Sequence, residues 1–135
     1  MLRLFRAKIG RQVHIYPTVR ITIPWNLKIG EFAAVGDRAI LYALGTITIG
    51  ARATVSQGAH ICAGTHDLTD PARPLLKPPI LIGEDAWVCA DAFVGPGVTI
   101  GAGAILGARG VTMRDLPPGT RAAGNPARII KGKQK

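Results

Sequence analysis

The chain of 135 residues is 47% hydrophobic, carries a formal net charge of +9 and has two cysteines. That length supplies one domain with its own core, but no apolar run reaches the roughly 18 residues of a membrane span, and two cysteines, which fit a reducing cytoplasm, cannot build a disulfide framework. The positive charge favours an anionic partner, while the lack of a nucleic-acid-binding motif and the scarcity of aromatics (5%) argue against nucleic acid.

The opening MLRLFRAKIG is basic but holds no apolar stretch of about 7–15 residues, so no signal peptide is expected and residues 1–8 read as a lead-in. From there a repeat takes over. Aliphatic residues stand six apart at Ile9, Ile15, Ile21; Ile29, Val35, Leu41; Ile49, Val55, Ile61; Ile82, Val88, Val94; and Ile100, Leu106. Glycine often follows directly (positions 10, 30, 36, 50, 83, 95, 101 and 107). Four residues after the aliphatic one the side chain is small or β-branched, as at Ala33, Ala39, Ala53, Ala59, Thr65, Ala86, Ala92 and Ala104. Six residues make one short strand and one sharp corner. The aliphatic residue points inward and stacks on its equivalents, and the small residue fits where three faces converge. Glycine beside the corner relieves backbone crowding. Three such faces close a triangular coil, and coils stack at the ~4.8 Å spacing of paired strands. The expected fold is therefore all-β, a parallel β-helix of about four to five triangular coils spanning residues 9–113. The period leaves its handedness open.

The steps from 21 to 29, 41 to 49 and 61 to 82 exceed six, and each excess follows a third hexapeptide. All insertions therefore leave one corner of the prism. The longest, residues 67–81 (DLTDPARPLLKPPIL), has four prolines and reads as a stiff wall beside a pocket. His66 precedes it directly. A histidine at such a corner suits a general base, taking a proton from an attacking hydroxyl or amine. Asp67 is adjacent to it in sequence, an arrangement that suits a turn better than an orienting partner for the imidazole. Cys62 and Cys89 follow inward aliphatic residues and read as packing. Residues 114–135 form a basic ending with Arg114, Arg121, Arg128, Lys131, Lys133 and Lys135.

The stretches ICAGTHD with its proline-rich loop, IGEDAWV, VGPGVTIGAGAILGA and RDLPPGTRAAGNPARIIKGK resemble the hexapeptide-repeat sugar O-acetyltransferases, most of all the colanic acid biosynthesis branch. The resemblance implies a left-handed winding, acetyl-CoA as co-substrate, and His66 as the base that deprotonates a sugar or sugar-lipid hydroxyl for direct attack on the thioester. It also implies Trp87, at the same hexapeptide phase as His66, and Asp67 on the acceptor side. Pantetheine would lie along Ala90 and Ala108, and the nucleotide phosphates would meet Arg114, Arg128 and Lys131. Met113 stands where family members often carry a hydroxyl residue, with Thr112 just before it. Family members also have some tens of residues ahead of the segment resembling MLRLFRAKIG, which help form the acceptor side and cover the first coil. The family implies a cytoplasmic homotrimer with at most peripheral membrane contact and no metal. Two other functions fit the same prism. A γ-class carbonic anhydrase would need His14, His60 and His66 brought together across a subunit interface, and a non-catalytic scaffold subunit would need neither the histidine nor the long loop.

Overall fold

The computed structural model describes residues 5–130. Its strands fall in sets of three. The first coil holds β1 (Lys8–Ile9), β2 (His14–Ile15) and β3 (Arg20–Thr22), and the second β4 (Leu27–Ile29), β5 (Ala34–Val35) and β6 (Ile40–Tyr42). The third holds β7 (Ile47–Ile49), β8 (Thr54–Val55) and β9 (His60–Cys62). A hairpin of β10 (Thr65–His66) and β11 (Leu75–Leu76) follows. The fourth coil is β12 (Ile80–Ile82), β13 (Trp87–Val88) and β14 (Phe93–Val94), and the fifth β15 (Thr99–Ile100), β16 (Ile105–Leu106) and β17 (Val111–Thr112). Then come β18 (Arg121–Ala123) and β19 (Arg128–Ile129). The first strand of each coil joins face A (β1-β4-β7-β12-β15), the second face B (β2-β5-β8-β13-β16) and the third face C (β3-β6-β9-β14-β17), all in parallel register. The chain thus folds as the expected left-handed parallel β-helix, with five complete coils. Stacking continues past residue 113, since Leu116 bridges Ile100 and β18 pairs with β16, so a sixth coil begins inside the basic ending.

Every repeat aliphatic from Ile29 to Leu106 is buried, while Ile9, Ile15 and Ile21 of the first coil are only partly covered. Face A is longer than a hexapeptide alone provides. Its strands β4, β7 and β12 each place two residues inward, Leu27 and Ile29, Ile47 and Ile49, Ile80 and Ile82. The eight-residue steps of the sequence are the extra length of this face and its corner.

The glycines have a reason other than the one the sequence suggested. A Cβ on Gly10, Gly30, Gly36, Gly50 or Gly83 would lie 2.5–2.7 Å from the backbone nitrogen of Glu31, Ala51, Gln57, Glu84 or Ala102 in the coil above. Glycine is required there because successive coils press together. The left-handed backbone of the corners falls two residues later, and mostly on other residue types: Gln12, Phe32, Arg38, Arg52, Asp85, Asp91 and Arg109 have φ of 56–60°. The stacking of whole coils outweighs a local cost of ~1–2 kcal/mol for each such residue.

Candidate active site

The prism breaks at the corner between faces C and A, after β9. The chain leaves at Gly64 and rejoins face A at Ile80, whose N–H donates to the Thr46 carbonyl at 2.9 Å. The excursion therefore starts before the expected residues 67–81 and contains His66 instead of following it. The reason is strand pairing. Thr65 and His66 pair antiparallel with Leu76 and Leu75, which turns Thr65 outward from its expected inward position. Two acids close the hairpin tip. Asp67 Oδ1 accepts from the Thr69 N–H (2.9 Å) and hydroxyl (2.6 Å), Asp70 Oδ1 accepts from the Ala72 N–H (2.9 Å), and the Asp67 N–H donates to the Pro74 carbonyl (2.9 Å). The Thr69 bonds hold the Asp67 carboxyl below the usual carboxylate range. Asp67 is thus a turn residue first, with Oδ2 left for any acceptor.

This closed loop aims one carbonyl at the histidine. His66 Nδ1 lies 2.8 Å from the Arg73 carbonyl oxygen. A carbonyl can only accept, so Nδ1 carries a proton and, in the neutral ring, Nε2 keeps its lone pair, on an exposed side chain. That is the tautomer a general base needs. Asp67 does not orient the ring; a backbone oxygen seven residues away does, and no side-chain pattern in the sequence marks it.

The expected donor residues lie elsewhere. Ala90 and Ala108 sit on the corner between faces B and C in successive coils, tied by the Arg109 N–H donating to the Ala90 carbonyl at 2.8 Å. Arg114 and Arg128 come together, lining one cavity of about 240 Å³ with Met113, Asn125 and Pro126. The cavity forms because the chain folds back after β18. The Ala127 N–H donates to the Val111 carbonyl, and β19 pairs antiparallel with β18. The Thr112 hydroxyl is buried and donates to the Arg114 carbonyl at 2.7 Å. It therefore shapes the turn under Met113 and does not replace a ligand-facing hydroxyl there. Lys131 lies outside the described residues.

Trp87 projects from face B, its Nε1 donating to Ser56 Oγ at 2.8 Å. Face B is opposite the C–A corner in a triangular section, so a shared hexapeptide phase has not put Trp87 beside His66. A face of about six residues at roughly 3.3 Å each is nearly 20 Å across. Within one chain, His66 and the Ala90–Ala108 corner occupy opposite edges of face C, whereas Arg114, after β17, lies at the C–A corner as the hairpin does. The three histidines are also dispersed, His14 on face B, His60 on face C and His66 on the hairpin. Among the described residues no group of three His, Cys, Asp or Glu could hold a metal ion, and no helix is long and apolar enough to cross a membrane.

No protein-family model matches the chain. Over 131 residues it is 48% identical to the colanic acid biosynthesis acetyltransferase WcaF of Escherichia coli (strain K12), covering 97% of this chain and 72% of that protein. Among solved structures, the hexapeptide-repeat containing acetyltransferase VCA0836 of Vibrio cholerae O1 biovar eltor, complexed with acetyl coenzyme A, is similar with a TM-score of 0.91 at 25% identity, covering 99% of this chain and 75% of that one. A galactoside acetyltransferase in complex with coenzyme A gives a TM-score of 0.88 at 26% identity, covering 96% and 68%. Sharing 48% of its residues with WcaF along almost its whole length, this chain belongs to the hexapeptide-repeat acetyltransferases and is an acyltransferase.

Proposed function

We propose that the chain transfers the acetyl group of acetyl-CoA to a sugar hydroxyl, in the assembly of an exopolysaccharide or lipopolysaccharide, with His66 as the general base. The observation that carries this reading is the bond from His66 Nδ1 to the Arg73 carbonyl, which leaves Nε2 free to accept a proton. His66 Nε2 takes the acceptor's hydroxyl proton as its oxygen attacks the thioester carbonyl carbon. The Arg73 carbonyl stabilises the imidazolium that forms. When the tetrahedral intermediate collapses, the carbon–sulfur bond breaks and Nε2 returns the proton to the departing thiolate. Neither Cys62 nor Cys89 is needed as an acyl carrier, and burial pushes the Cys89 thiol up, away from the nucleophilic thiolate.

Donor binding runs along Ala90 and Ala108 to the cavity of Arg114 and Arg128, whose guanidinium groups suit the nucleotide phosphates; Lys131 extends the same basic ending. The solved relatives that hold acetyl-CoA and coenzyme A support the donor. Because His66 and the Ala90–Ala108 stretch of the donor path occupy opposite edges of face C, the working site lies between two copies: His66 of one chain meets Trp87, Ala90 and Ala108 of the next, in a homotrimer. Leu68, Leu75 and Leu76, exposed on the hairpin, supply apolar surface for that contact. A donor supplied in the cytoplasm assigns the reaction to that compartment. The test is thiol release from acetyl-CoA over a panel of sugars, sugar nucleotides and lipid-linked sugars. Sugar-dependent release with an acetyl ester on the product is expected, and release only to water or amines would reject the reading.

A further inference from the structure

Trp25 stands on the same edge of the prism as His66, two coils nearer the N-terminal end. The corner between β3 and β4 is a short 3₁₀ turn, Pro24–Asn26, entered through Ile23 in the left-handed region (φ 52°). Asn26 locks it to the next tier, its Nδ2 donating to the Ala43 and Leu44 carbonyls at 2.9 and 3.0 Å. That tier touches the one bearing the base, since a Cβ on Gly64 would lie 2.9 Å from Leu44 Cδ1. Three tiers therefore form one continuous edge, with Trp25 at one end and the His66 hairpin at the other. Trp25 is 59% exposed and makes no ring or cation contact among the described residues.

We infer that Trp25 is a carbohydrate-stacking platform and that the acceptor is an oligosaccharide, two or more linked sugars lying along this edge. The inference rests on the sugar-acetylating reading and names its substrate class. Aromatic rings cover the apolar face of a pyranose while leaving its hydroxyls in water, and a rigid ring loses little freedom on binding. The turn supplies that rigidity through Pro24 and Asn26. Two coil spacings of roughly 4.8 Å separate Trp25 from the level of His66, about 10 Å in all. One sugar at the base cannot span that distance, whereas a short chain of them can. Leu44 of the tier between and Gly64 of the tier that bears the base lie along this path, with the Tyr42 ring beside them, 3.1 Å from a Cβ built on Gly64.

The experiment is calorimetric titration of the protein with β-linked gluco- and galacto-oligosaccharides of increasing length, alongside acetyl transfer to the same compounds. In the wild type, affinity should rise from the monosaccharide to the trisaccharide. Trp25→Ala should abolish that rise, with a KM increase of roughly three- to tenfold for the longer acceptors, an unchanged monosaccharide KM and a kcat within about twofold. Trp25→Phe, which keeps a stacking face, should retain most of the gain. Affinity that does not grow with length, or growth that survives Trp25→Ala, overturns the inference. The two readings fail separately: length-dependent binding through Trp25 without acetyl transfer removes the enzymatic reading alone, and transfer to sugars indifferent to Trp25 removes the platform alone.

Discussion

At the scale of single residues, His66 and His60 show how position decides what one side chain does. His66 is exposed with its tautomer set by the Arg73 carbonyl. His66→Ala should lower turnover by ~10²–10⁴-fold and leave the unfolding midpoint nearly unchanged, because no core contact is lost. Turnover within a few-fold of wild type would remove the base from His66. His60 lies on face C between the Tyr42 and Phe93 rings, with centroids 6.5 and 5.1 Å away, and its Nε2 is buried with no hydrogen-bond partner among the described residues. Burial lowers its pKa from the ordinary value. The folded state then binds fewer protons than the unfolded one, so the stability His60 contributes is complete above about pH 6.5 and is lost as pH falls through the folded pKa. The urea midpoint should drop between pH 7.5 and 5.5 in the wild type. His60→Phe should reduce that drop, since the other titrating groups are common to both proteins. An identical pH dependence in the two would mean that the buried ring carries no linkage.

At the scale of elements, the coils were legible in the sequence and the hairpin was not. Inward positions announce themselves because a prism wall demands an aliphatic residue at each turn of six, and Ile29 through Leu106 meet that demand without exception. The hairpin breaks the period, so only its length and its prolines could be read. Its pairing of His66 with Leu75 depends on a loop closed by Asp67 and Asp70, and the orienting group is a main-chain oxygen that any residue at position 73 could supply. Glycine at the repeat positions was legible too, but its cause is the approach of the next coil, a contact with a residue one full coil further along the chain. The hairpin carries its own prediction. Replacing residues 69–79 with a short Gly-Ser link should keep the coils, because Ile80 and Leu81 still pair into face A. It should lower kcat towards the level of His66→Ala, since Nδ1 loses its acceptor, and raise the acceptor KM. Titrations of acetyl-CoA and of sugar on the shortened protein decide the matter: lost donor affinity with intact sugar affinity would assign the hairpin to the donor.

At the scale of the whole molecule, a regular prism imposes a separation that no local rearrangement removes. The hairpin must leave at the C–A corner because β9 ends there, and the small residues Ala90 and Ala108 line the B–C corner because their strands end there. Positive charge gathers at the C-terminal end, where Arg114 and Arg128 share a cavity beside β17. On the proposed reading, a single chain holds half of two sites and the whole of none. This has a consequence for mixed assemblies. A His66→Ala chain lacks a base but keeps a donor path, while an Ala108→Trp chain, with a bulky ring on that path, keeps its base. Each alone should be nearly inactive. Unfolded together, refolded and reassembled at equal amounts, they should recover activity, because an interface that takes His66 from one variant and Ala108 from the other is intact. Random closure of a cyclic trimer makes about a quarter of the interfaces of that kind. Recovered turnover near that fraction of wild type, with sedimentation at the mass of three chains, is the expected result. Inactive mixtures that nonetheless sediment as hetero-trimers would mean that each chain carries its own complete site.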